Sequence, residues 1–203
     1  MFALVDKSDN SITRMLNDNR GITIGDNQYP RAIFSLWSEA ERNAINIYAV
    51  TIDTSKRKDE KWYTNTNITY SFGSGKVTGS YGDATAKPHA DTLYTSQDET
   101  DGLGTEGDVK VEGLKTKLIR TVKSQAAGIL TKTDWYVIRK TEEDTAIPSA
   151  ITTHRRAVRS KQAAMETSIT NASDTPALET LYTYTEQEDG SVTRPLGELP
   201  TLE

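Results

Sequence analysis

Cysteine is absent from the 203 residues. That excludes disulfides, thiolate zinc sites and cysteine nucleophiles, and it leaves the redox compartment open. Histidine is scarce: the two present, His89 and His154, lie far apart and lack the His-x-x-x-His spacing of a metal pair. Long apolar runs are missing as well. The opening MFALVD has no basic flank and stops at Asp6, and no later run approaches the ~20 apolar residues of a membrane span. The expectation is a soluble product without a signal peptide or a membrane partner. Hydrophobic residues make up only 35% of the chain against 26% charged, a thin supply for the core of a monomer, which points to assembly with further copies or a partner. With 24 basic and 29 acidic side chains the net charge of −5 gives no general attraction to nucleic acid.

What is present suggests an α+β fold. FALVD reads as a strand, Lys7 to Asn10 as a turn, and ITRML as a strand or a helical turn. GITIGDNQYP reads as an edge strand and loop. In SEAERNAINIYAVTID, Ser38 and Glu41 form a capping box that starts a short helix, and the β-branched alternation after Asn46 makes a strand. KWYTNTNITYSFGSGKVTGSYG reads as a hairpin with Trp62, Thr64, Thr66, Ile68 and Tyr70 on one face, packed on that helix, and GSG at the turn. The acidic, Gly-rich SQDETDGLGTEGD, residues 96–108, reads as a linker. The expected organisation is an α+β module over 1–95, this linker, a helical hairpin over 109–189 and an extended tail over 190–203.

In the hairpin module Val111, Leu114, Leu118, Val122, Ala126 and Ile129 share one stripe, with Asp108 as N-cap. Thr131 to Thr133 break the helix, Asp134 caps a short second one and Trp135 plugs the elbow. Pro148 opens a third helix, with Ile151, Val158, Met165, Ile169, Ala157 and Ala164 apolar and Arg155, Arg156, Arg159 and Lys161 wet. Asp174 and Pro176 start a further short helix.

The chemistry of common active sites is not visible. His89 beside Asp91 reads as a solvated loop pair and His154 as a helix-face contact. FGSGKVTG lacks the first glycine and the following helix of a phosphate loop, and the acidic stretch lacks a calcium register. The basic run from His154 to Lys161 reads as a solvated face or a surface for an acidic neighbour rather than a phosphate binder. No cofactor, metal or catalytic residue is expected. The aromatics Trp62, Tyr63, Tyr70 and Tyr81 are either hairpin core or a sugar-stacking platform.

The segment TDWYVIRKTEEDTAIPSAITTHRRAVR resembles tail assembly and tail-fibre accessory proteins of tailed bacteriophages. In those a helix leads to a Leu, an Asp-Trp, an Arg with acidic residues, an Ile-Pro and a Tyr-Arg-x-x-Val-Arg helix. The matching positions are Leu130, Asp134, Trp135, Arg139, Glu142, Glu143, Ile147, Pro148, Arg155, Val158 and Arg159, with His154 where the aromatic is expected. SEAERNAINIYAVTID and the hairpin after it are loosely similar to segments of phage tail proteins. The resemblance implies a non-enzymatic, multi-copy virion protein, tail- or tail-fibre-associated, that docks on other phage structural proteins; alternatives are a transient assembly chaperone and a glycan-recognition module. Trp135, Arg155, Val158, Arg159, Met165 and Trp37 are the expected docking residues, through apolar anchors and a basic face that fixes register.

Overall fold

The structure, a computed structural model, describes residues 1–17 and 20–202. The fold is α+β and divides into two compact units, Met1–Thr85 and Ala86–Glu203.

The first unit is organised by a mixed sheet. Strands β1 (Phe2–Asp6) and β2 (Ser11–Leu16) form an antiparallel hairpin. The expected edge strand and loop form a second hairpin, β3 (Ile22–Ile24) and β4 (Asn27–Tyr29), because Gly25 takes the left-handed φ of 58° that its turn needs. Helix α1 (Ile33–Leu36) follows, then α2 (Glu39–Ala44). The capping box of α2 is the one legible in the sequence: Glu41 N–H donates to Ser38 Oγ, and Ser38 N–H donates to the Glu41 carboxylate at 2.7 Å. Asn46 then adopts φ 60° and redirects the chain into β5 (Ile47–Asp53).

After β6 (Tyr63–Thr64), strands β7 (Thr69–Gly73) and β8 (Lys76–Ser80) close a hairpin through Ser74 and Gly75, whose φ values of 52° and 74° match the turn type that continues strand twist. The sheet order is β2-β1-β5-β8-β7, with β5 and β8 parallel. Alternation along β1 serves both faces. Phe2 and Leu4 pack against Leu16, Ile22, Ile33 and Ile47, while Ala3 and Val5 join Tyr48 and Val77.

One expectation for this hairpin fails. Trp62 and Tyr63 are both buried, so no single face runs from Trp62 to Tyr70. The chain leaves strand geometry between Thr64 and Thr69, where side chains take up the backbone groups: Asn65 brackets Lys58, accepting from its N–H and donating to its carbonyl, and Thr66 Oγ1 accepts from Gly82 N–H at 2.6 Å. Helix α2 lies against β5 rather than this hairpin.

In the second unit, which begins beside the short strand β9 (Thr85–Ala86), the expected linker of residues 96–108 carries helix α3 (Ser96–Thr100) and connects β10 (Thr92–Leu93) to β11 (Val109–Val111). Thr95 and Asp98 form a capping box for α3, and Tyr94 exchanges backbone hydrogen bonds with Asp108 and Gly107 at 2.9 and 3.0 Å. Residues 96–108 are nearly all exposed, in keeping with their acidic composition, but the α3 cap and the Tyr94 hydrogen bonds give them defined partners. The division between units falls at Thr85–Ala86.

Helix α4 (Leu114–Thr131) starts at Gly113, not at Asp108. The capping carboxylate comes from Asp91, which accepts from Gly113 N–H at 2.6 Å and Thr116 Oγ1 at 2.7 Å, while Leu114 and Lys115 N–H donate to the Pro88 and His89 carbonyls at 3.0 Å. The Thr116 hydroxyl, then the Gly113 amide, hold the Asp91 carboxyl below its ordinary value. Asp91 therefore serves a helix N-terminus rather than orienting His89. Gly113 is required by close approach, since a Cβ there would lie 2.4 Å from the Ala90 carbonyl carbon. Gly113→Ala is expected to destabilise this unit by about 1–3 kcal/mol, read as a lower urea midpoint in circular dichroism at 222 nm.

After α5 (Asp134–Glu143), helix α6 (Ser149–Asn171) returns antiparallel to α4: Lys115 Nζ reaches the Thr170 carbonyl at one end and Arg155 reaches the Leu130 carbonyl at the other, both at 2.8 Å. Leu118, Val122 and Ala126 of α4 are buried with Ile151, Val158, Met165 and Ile169 of α6. Val111 lies in β11 and is exposed, outside the stripe expected for it, and Ala157 and Ala164 are exposed as well. Helix α7 (Thr175–Tyr182) begins as expected, Asp174 accepting from Ala177 N–H at 2.8 Å with Pro176 in the first turn. The tail is not an extended arm. It forms a hairpin of β12 (Thr185–Glu186) and β13 (Val192–Thr193), and Leu196 returns to a buried position with its N–H on the Leu181 carbonyl.

Candidate docking site

The break after α4 is held by one side chain. Arg155, only 8% exposed, donates through Nη1 to the Leu130 carbonyl at 2.8 Å and to Thr133 Oγ1 at 2.7 Å, and pairs with the Asp134 carboxylate at 2.9 Å. All three contacts fall on Nη1, so one end of the guanidinium serves both the carbonyl end of one helix and a carboxylate at the start of the next. The sequence reading placed Arg155 on a wet face. The correction follows from the antiparallel return of α6, which carries that position over the end of α4. His154 is buried beside it. Asp134 stands inside α5 rather than capping it; the N-cap residue is Thr133.

The six expected docking residues separate into surface and interior. Val158 and Met165 are core of the helical hairpin, with 0% and 2% exposure, and Arg155 is consumed by the lock just described. Trp37 is half-buried in the first unit, edge-on to Tyr29 with ring centroids 5.9 Å apart. Trp135 does not plug the elbow. It is 49% exposed, stacked on Tyr136 with centroids 3.9 Å apart, and Arg139 covers it at 4.7 Å. Arg159 is exposed, so Trp135 and Arg159 are the two of the six on the surface of the second unit.

Around them the structure adds residues that spacing did not single out. Helix α5 buries none of its ten residues, although it carries Trp135, Val137 and Ile138, all exposed. These three fall within one arc of the helix, wide enough for a packing face. Beside it a groove of about 410 Å³ is lined by Val137, Ile147, Thr152, Arg155, Arg156 and Arg159. Arg156 and Arg159 have no ion pair among the described residues. The legible signal was WYVI itself, too apolar for a solvated helix. An isolated helix of this length is marginal in water, so a covering surface would stabilise it.

The acidic turn carries the opposite charge. Lys110 Nζ lies 2.6 Å from the Asp98 carboxylate, and this contact, reinforced by the Thr95 amide and hydroxyl, lowers the Asp98 pKa to about 2 from 3.8. A depressed folded-state value means the contribution of Asp98 to stability is complete above pH 3.8 and is lost as pH falls through about 2. A carboxyl-carbon NMR titration is expected to show Asp98 ionised at pH 3; a midpoint at the ordinary value would show that the pair is not held in solution.

Among the described residues no group of three or more His, Cys, Asp or Glu is placed to hold a metal ion, and no helix is long and apolar enough to cross a membrane. The chain matches no protein-family model, no curated protein and no solved structure. The site is a locked helical elbow presenting an exposed apolar helix beside the unpaired guanidinium groups of Arg156 and Arg159. That arrangement can bind a surface, and it places no nucleophile, base and oxyanion donor together.

Proposed function

We propose that this protein is a non-enzymatic structural component of a tailed bacteriophage particle, associated with the tail or tail fibre and acting in several copies as a docking or adaptor element. The observation that carries this reading is the Arg155 lock. Leu130, Asp134 and Arg155, three positions of the phage-like segment spread over more than twenty residues, meet at one guanidinium. In this chain the segment thus fixes a helical elbow and leaves Trp135 and Ile138 facing outward. Such a platform fits a protein whose task is to join others. The glycan alternative is weaker, since two of its four aromatics, Trp62 and Tyr63, are buried.

Mass spectrometry of purified mature particles beside infected-cell lysate tests the reading. A stoichiometric presence in particles is the expected result. Abundance in lysate with absence from particles would instead mark a transient assembly chaperone, which could use the same exposed α5.

A further inference from the structure

We propose that the second unit binds a second copy of itself head to tail, the α5–α6 groove of one chain receiving the acidic β10–β11 end of the next. This deepens the multi-copy docking reading and rests on it for its biological setting, while its physical basis is local to this unit.

The groove side supplies apolar Trp135, Val137 and Ile138 with the unpaired guanidinium groups of Arg156 and Arg159. The same unit carries a complement. In the β10–β11 ladder Leu93 lies opposite Val109 and Thr92 opposite Val111, with a register shift between the two pairs. Lys110, between the two valines, is engaged with Asp98 and lies 5.6 Å from the Tyr94 ring centroid. Leu93, Val109 and Val111 are exposed, as is Leu103 in the connecting loop. Glu99, Asp101, Glu106 and Asp108 border this patch, are exposed, and have no ion pair among the described residues. One end thus offers exposed apolar groups with free cations, the other exposed apolar groups with carboxylates that carry no ion pair among the described residues.

The two patches cannot satisfy each other within one chain. β11 precedes the start of α4 and α5 follows its end, and the 18 residues of α4 separate them by about 27 Å. Two different, complementary patches at opposite ends make a heterologous contact, which closes into a ring or continues as a fibre according to its rotation. The charges set register and the apolar groups supply affinity. A protein with little core-forming sequence thereby covers apolar surface that a single copy leaves in water.

Sedimentation velocity of the purified full chain over a range of concentrations tests this, with circular dichroism to confirm folding. Wild type is expected to form species larger than a monomer, and these should weaken as salt rises. R156E/R159E and E106K/D108K change only exposed side chains. Each is expected to weaken self-association by at least about tenfold, and an equimolar mixture of the two is expected to associate again, because each retains one intact patch and the reversed patches match. Monomeric wild type at high concentration would overturn the proposal, as would association indifferent to both double variants, or a mixture that stays monomeric. A chain that is monomeric in solution yet stoichiometric in particles would overturn self-docking alone and leave the structural role standing, with a different acidic protein in the groove.

Discussion

Arg155→Ala is expected to destabilise the second unit by about 2–4 kcal/mol. The substitution removes a buried guanidinium that serves the Leu130 carbonyl, Thr133 Oγ1 and the Asp134 carboxylate together, and it leaves the buried Thr133 hydroxyl without that donor. The effect lies at the upper end for one polar side chain because Arg155 also joins two helices that are separated by the elbow. Asp134 is about half exposed, so Asp134→Asn should cost much less, about 1 kcal/mol or under. Arg155→Lys should recover only part of the loss, since an ammonium on a flexible stem is held less firmly at the Nη1 position than a planar guanidinium. Urea unfolding followed at 222 nm reads this unit, because α4 and α6 hold most of the helix. A midpoint unchanged by Arg155→Ala would show that the elbow is held by packing alone.

The second large effect is expected in the other unit. Trp62→Ala should cost about 3–5 kcal/mol, the range for deleting a large aromatic from a packed interior, because Trp62 is 3% exposed. Tyr70→Ala, at a half-buried position, should cost less. The comparison separates two roles for the same aromatic residues. A stacking platform would lose ligand binding and keep its fold, whereas core residues lose the fold. Trp37 and Trp62 lie in the first unit and Trp135 in the second. Tryptophan fluorescence therefore follows the loss of the first unit, with circular dichroism at 222 nm expected to stay near wild type until the second unit melts. Coincident loss of both signals would mean that the two units unfold as one cooperative system.

Local signals in this chain were read well where a short rule governs them. The Ser38–Glu41 box, the Asp174 cap and the strand after Asn46 each depend on residues within a few positions of one another, and the structure places all three as spacing implied, whereas the buried side of α6 keeps Ile151, Val158, Met165 and Ile169, loses Ala157 and Ala164, and gains His154 and Arg155. The errors occur where a side chain finds its partner far along the sequence. Asp91 displaced Asp108 as the cap of α4 from 22 positions away, Arg155 left the solvent for a carbonyl 25 positions away, and the Asn65 bridge to Lys58 ended a strand that alternation would have continued. The acidic stretch shows the same limit: composition reports how readily a segment is solvated, and says nothing of the β10 strand waiting to pair with β11.

The candidate site divides in the same way. The sequence by itself determined the α+β character and the break between α4 and α5, because periodicity and helix breaks are local properties, while the Asp-Trp and Arg-x-x-Val-Arg residues were singled out only by a family resemblance. Only the tertiary structure decided which of those residues face inward. Closing α6 on α4 consumes Arg155, Val158 and Met165 in the interior and leaves Trp135, Val137, Ile138, Arg156 and Arg159 outside. Burial depends on what packs against a residue, and that partner is set by how the helices return on one another.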